Sequence, residues 1–109
     1  MKISLKQTHF FDRQAFNGNV YIDKESGKDF NALLVTCLTG HYKTKLKNAT
    51  RAYLVLEGAG TFTINGKEET AEQHDFFLIS DGDVYEYAGK MKLFEFNVPA
   101  TDSSNEEKV

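Results

Sequence analysis

Apolar residues alternate with polar ones through most of the chain, and no long stretch carries the three-to-four spacing of an amphipathic helix. The run NALLVTCLTG, residues 31–40, is rich in aliphatic and β-branched side chains and stops at Gly40; RAYLVLEG, residues 51–58, repeats the pattern and stops at Gly58. In GTFTINGKEET, Phe62 and Ile64 alternate with Thr61 and Thr63, and Asn65-Gly66 predicts a two-residue hairpin because both residues tolerate positive φ. DFFLIS, a DGD turn at 81–83, VYEYAG and KMKLFEFNVP follow, the last strand stopped by Pro99. Upstream, KISLK and NVYID read as short strands, DKESGKD as a polar loop and DRQAF as a brief helical turn. Short strands separated by turn signals about every 8–12 residues predict an all-β sandwich or barrel.

Side-chain parity orients strand 51–57. Arg51, Tyr53, Val55 and Glu57 share one face, and Ala52, Leu54 and Leu56 the other. Both faces are partly apolar, so both need cover, from an N-terminal segment or from a second subunit. A homodimer is the expected arrangement.

The segment YLVLEGAGTFTINGKEETAEQHDFFLISDGDVYEY resembles a small cupin, and the resemblance extends over residues 32–98. It implies a double-stranded β-helix, an antiparallel jelly-roll barrel. The family's motifs, G-x5-H-x-H-x(3,4)-E-x6-G and G-x5-P-x-G-x2-H-x3-N, align on Gly58 and Gly82. Lys45 and Lys47 then stand at the paired histidines, Arg51 at the acid and Tyr85 at the histidine of the second motif. Gly40 lies one residue out of register, Ser80 replaces the proline, and His74 and Gly89 replace a glycine and the asparagine. A cupin metal centre needs imidazole and carboxylate lone pairs, which ammonium and guanidinium groups lack. Neither a metal nor another cofactor is therefore expected.

The chain of 109 residues fits one domain, taken as residues 1–99, with the polar ATDSSNEEKV at 100–109 expected to be a disordered tail. Nine Phe and five Tyr supply core volume without Trp or disulfides. Thirteen Lys and Arg against sixteen Asp and Glu give a net charge of −3, which argues against nucleic acid or an anionic membrane as partner. There is no signal-peptide pattern and no apolar run near the ~20 residues of a membrane span. Cys37 stands alone in a strand-like run, as in a reducing cytoplasm.

Lys43, Lys45, Lys47 and Arg51 crowd into nine residues without an acid. If Lys45 and Lys47 line the barrel beside Arg51, the pocket attracts a carboxylate or phosphate, with Arg51 gripping it and Tyr85 donating a further hydrogen bond. The alternative is a solvated strand end whose lysines only protect an edge. Arg51 shares parity with Tyr53 and Val55, so it points inward, and its partner is a ligand, Glu57, Glu86 or Glu95. Tyr85 and Tyr87 share a face, as site hydroxyls or as core aromatics. His41, beside Tyr42 at a strand end, is a candidate general base or a loop histidine. The expected site set is thus Arg51, Tyr85, Lys45, Lys47, Tyr53 and Tyr87, serving a small anionic or sugar-like ligand. Catalysis stays open: a metal-independent isomerase, epimerase or lyase is one alternative, and a barrel filled by its own aromatics the other.

Overall fold

A computed structural model describes all 109 residues. Nine strands make up the chain: β1 (His9–Asp12), β2 (Phe16–Ile22), β3 (Asn31–Cys37), β4 (Gly40–Leu46), β5 (Thr50–Ile64), β6 (Lys67–Ala71), β7 (Phe76–Ile79), β8 (Val84–Val98) and β9 (Glu106–Lys108). All pairings are antiparallel. The sheet curls because β5 and β8, paired along their length, each serve both walls. The first half of β5 and the second half of β8 join β7 and β3, with β2 and β1 outside β3. Their other halves join β6 and β4, with β9 outside β4. This is the expected all-β jelly-roll barrel. No helix is long and apolar enough to cross a membrane.

The sequence divides β5 and β8 into two strands each, at Gly58 and Gly89, and the structure joins them. Glycine there bends the ribbon instead of ending it. Gly58 has φ of 87° and Gly89 of 116°, and an added Cβ would lie 2.1 Å from the Lys90 carbonyl oxygen or 2.6 Å from that of Ala59. A bulge between Val55 and Glu57 adds to the bend and turns Glu57 out to solvent. The Asn65-Gly66 hairpin forms as expected, with φ of 51° and 80°, the signature of a type I′ turn. KISLK is not a strand: Leu5–Gln7 form a single 3-10 turn. The helical turn expected at DRQAF is instead a tight link between β1 and β2, with Gln14 at φ 68°.

Residues 100–109, expected as a disordered tail, carry a 3-10 turn and a short strand in the structure. Asp102 and Asn105 bracket a 3-10 turn at Ser103–Asn105, Asn105 is buried, and β9 pairs with the edge of β4. Composition marked this segment as solvated because its burial is ionic and hydrogen-bonded, with little apolar area. Thr101 reaches Asn31, and the Asn105 side-chain amide donates to the Lys47 carbonyl at 2.8 Å.

The interior is aromatic. Tyr53, Tyr85, Phe62, Leu46, Ile79, Leu93 and Val55 are almost wholly enclosed, and Phe62 stacks on Phe77 with ring centres 4.1 Å apart. The outer face of the β3–β8–β5–β7 wall is also apolar. Leu34, Phe94, Leu54 and Phe76 lie in one row across it, and Ala32, Phe96, Ala52 and Leu78 in the next. Phe76 and Leu78 are 62% and 53% exposed, so this face lacks cover within one chain.

Candidate functional site

One end of the barrel holds the polar residues. Arg51 on β5 is 5% exposed and makes contacts at all three guanidinium nitrogens. Its Nε donates to Asn97 Oδ1 at 2.5 Å and lies 3.4 Å from Glu95 Oε2. Nη1 donates to the Tyr85 hydroxyl at 2.9 Å and to Glu106 Oε1 at 2.8 Å, and Nη2 reaches Thr101 Oγ1 at 3.4 Å. Asn97 donates through its amide to Glu95 at 2.9 Å and to Asn31 Oδ1 at 3.0 Å. The Tyr85 hydroxyl shares a 2.8 Å hydrogen bond with that of Tyr53. Burial opposes the Arg51 cation, but Glu95 first, then Tyr85, Tyr53 and Glu106, outweigh it and hold the guanidinium charged well beyond its usual range.

The strand pattern explains which side chains meet here. In LFEFNVP, Phe94 and Phe96 take the outer face, so Leu93, Glu95 and Asn97 point inward with Arg51, the β5 partner of Asn97. On β4, His41 pairs with Tyr87 but Thr44 pairs with Tyr85, so β4 carries one extra residue. This bulge at Tyr42 and Lys43 changes the parity. His41, Thr44 and Leu46 are buried, while Lys45 and Lys47 lie on the opposite parity and do not join the cluster. Regular alternation from His41 would have sent Lys43, Lys45 and Lys47 inward; the extra residue is what places them outside.

His41 is the residue the sequence reading underrated. Its ring is buried against Phe16, Tyr42, Tyr85 and Tyr87, with ring centres 4.3 to 5.6 Å away. Nδ1 lies 2.7 Å from the Tyr42 carbonyl oxygen, which can only accept. Nδ1 therefore carries the proton in the neutral ring, and Nε2 keeps its lone pair. Burial lowers the His41 pKa, and this outweighs the carbonyl hydrogen bond and the attraction of Glu106 and Glu95, which raise it. His41, Arg51, Glu95 and Glu106 border one cavity of about 140 Å³, with Phe11, Phe16, Leu33 and Tyr42 as apolar walls and Arg13 at the rim.

The tyrosines stay protonated. Burial raises Tyr85 to about 12 and lifts Tyr53 and Tyr87 well above the usual value. Tyr87 differs in one respect: its buried hydroxyl has no hydrogen-bond partner. Tyr87→Phe should therefore leave stability unchanged or raise it by up to about 1 kcal/mol, whereas Tyr85→Phe removes an acceptor from a charged donor and should cost about 1.5–3 kcal/mol. Urea unfolding of the two variants measures the difference directly.

Of the expected set, Arg51, Tyr53, Tyr85 and Tyr87 come together and the two lysines do not. Glu95 was one of three candidate partners for Arg51; Glu57 is exposed at the bulge and Glu86 belongs to an outer groove. Glu106 gave no signal, since it lies in the segment read as a tail. The alternating polar residues Glu95 and Asn97 between outward phenylalanines were the sequence's available clue. A family metal does not fit this donor set: Lys45 and Lys47 face away, and the Arg51 guanidinium stands between the two carboxylates.

No family model matches the sequence, and no curated protein matches it either. Solved structures do. A histidine-to-glutamine variant of Streptomyces PAC13 with uridine is similar at a TM-score of 0.88, with 20% identity over 99% of this chain and 89% of that one. Pac13 itself, described as a unique nucleoside dehydratase, gives the same score and identity over 100% and 90%. Ectoine synthase from P. lautus is similar at a TM-score of 0.83, with 12% identity over 100% of this chain and 89% of that one. The Schizosaccharomyces pombe Cnp3 cupin domain follows at 0.74, with 17% identity over 95% and 84%. At these identities the likeness establishes the fold: the chain is a small cupin-type jelly-roll barrel.

Proposed function

We propose that the cavity beside His41 binds a small, uncharged, hydroxylated molecule of sugar or nucleoside type and performs acid–base chemistry on it without a metal, as a lyase or dehydratase. The observation that carries this reading is the tethered imidazole. With Nδ1 held by the Tyr42 carbonyl, Nε2 is the free basic nitrogen of a buried ring that borders the cavity, and the Tyr42 phenol, kept protonated by burial, lies on the same wall. A base next to a weak acid is what loss of water from a carbon skeleton needs: one group takes the proton from carbon, another protonates the departing hydroxyl. Support also comes from the neighbours, since Pac13 is described as a nucleoside dehydratase and its variants, altered at a histidine and at tyrosines, hold uridine.

The earlier expectation of an anionic ligand loses its basis, because the two lysines are outside and Arg51 is already paired. Incubating the protein with nucleosides and sugar aldehydes in deuterium oxide tests the reading by NMR. Solvent deuterium entering a carbon position, or an alkene product, is the expected result; ligand binding with neither supports a binding module instead, and no uptake of any neutral ligand removes both.

A second copy of the chain is the proposed cover for the outer apolar wall, in a homodimer burying Phe76 and Leu78. Sedimentation equilibrium should show a dimer that Leu78→Asp splits. Cys37, buried and free, suits the reducing cytoplasm as the location.

A further inference from the structure

We propose that Glu106 sets the ligand's charge: its carboxylate fills the place on Arg51 that an anionic ligand group would take, so phosphates and carboxylates are turned away. This deepens the proposed function and rests on the cavity beside His41 being the ligand site.

A buried arginine in a barrel of this size ordinarily invites an anion, because its guanidinium offers paired N–H groups that match carboxylate or phosphate geometry. Here no such pair is free. Nη1 is committed to Tyr85 and Glu106, and Nε to Asn97 with Glu95 alongside. Only Nη2 is loosely held, by Thr101 at 3.4 Å, and a single donor cannot make a fork. Charge points the same way. Two carboxylates face one guanidinium, and the other cation on the cavity wall, Arg13, is exposed and lies over the Phe11 ring, 5.2 Å from its centre. The two arginines and two glutamates on the cavity wall sum to zero, so an incoming phosphate would find no net positive charge to offset its desolvation.

Glu106 reaches Arg51 from outside the barrel's own strands. It begins β9, which adds only three residues to the β4 edge. The segment is pinned just before it, where Lys47 N–H donates to the Asn105 carbonyl at 2.7 Å, and just after it, where the Thr44 hydroxyl donates to the Glu107 carbonyl at 3.2 Å. Glu106 is partly buried while its neighbour Glu107 is exposed, so one position on this short strand is committed to the cavity.

The test compares wild type, Glu106→Ala, Glu106→Gln and Glu107→Ala by thermal unfolding in sodium formate and in sodium chloride at equal ionic strength, then with and without inorganic phosphate. Wild type and Glu107→Ala should melt at the same temperature in both salts. Glu106→Ala should melt lower in chloride and recover by a few degrees in formate, because formate occupies the vacated place on Arg51. Glu106→Gln keeps an acceptor for Nη1 but not the charge; it serves if the alanine variant does not fold, and phosphate should stabilise it and not wild type. Formate or phosphate acting equally on wild type and on the Glu106 variants overturns the assignment, as does an absence of response in those variants. Neither result depends on finding the neutral ligand, so a failure here is distinguishable from a failure of the proposed chemistry, which shows as wild type taking up no uncharged nucleoside or sugar.

Discussion

Arg51→Met should lower the free energy of unfolding by about 3–5 kcal/mol, read from urea titration at neutral pH. Methionine matches the aliphatic part of the side chain, so the loss reports mainly on charge. Two carboxylates, Glu95 and Glu106, would be left in or beside an apolar cavity without their cation, and the Tyr85 and Asn97 contacts would go with it. Glu106 keeps 23% of its side chain exposed and can turn toward water, which places the expected value nearer the lower figure. The mechanism makes a sharper statement about combinations. Arg51→Met with Glu95→Gln and Glu106→Gln should recover a large part of the lost stability, since the neutral triple variant strands no charge. If the triple variant is as unstable as the single one, packing and not charge pairing is what Arg51 supplies.

If the proposed acid–base chemistry operates, His41→Asn should reduce its rate by about 10²–10⁴-fold. Asparagine retains a side-chain N–H for the Tyr42 carbonyl and deletes the ring nitrogen assigned as base, so binding should suffer less than the rate. The same variant carries a pH signature that needs no substrate. Burial lowers the folded-state pKa of His41, so folding favours the neutral ring. That contribution is complete above the ordinary histidine value of about 6.5 and is lost as the pH falls through the lower folded value. Wild type should therefore lose stability on acidification in that window, and His41→Asn should lose less. The rate of the proposed reaction should hold up below pH 6.5 for the same reason, with its acid limb displaced downward.

The barrel was legible because its signals are local: strand alternation, the Asn65-Gly66 turn, and glycines and a proline at the ends of runs. The site was half legible. Arg51 and Tyr53 follow from parity on a regular strand, and Tyr85 and Tyr87 from parity on another. Lys45 and Lys47 were misplaced because one extra residue at Tyr42 and Lys43 inverts the alternation, and a bulge has no composition of its own. His41 shares the parity that regular alternation gives Lys45 and Lys47, but at a strand end it read equally well as a loop histidine. Glu106 was invisible for a different reason. Its burial depends on a guanidinium 55 residues away in sequence, and a polar composition carries no trace of a long-range ionic partner.

The pairing of β5 with β8 also governs when the protein becomes able to function. Thr50 meets Val98 and Ile64 meets Tyr85, so even the nearest partners in this ladder are separated by a hairpin and a further strand. Such distant closures are slow, and a chain dominated by them folds in roughly milliseconds to seconds. Arg51 loses its water only when β8 arrives with Glu95 and Asn97, and its last partners, Thr101 and Glu106, follow β8 in the chain. Refolding followed by tyrosine fluorescence should therefore register barrel closure before the cavity acquires its binding properties, with the recovery of ligand uptake as the final event.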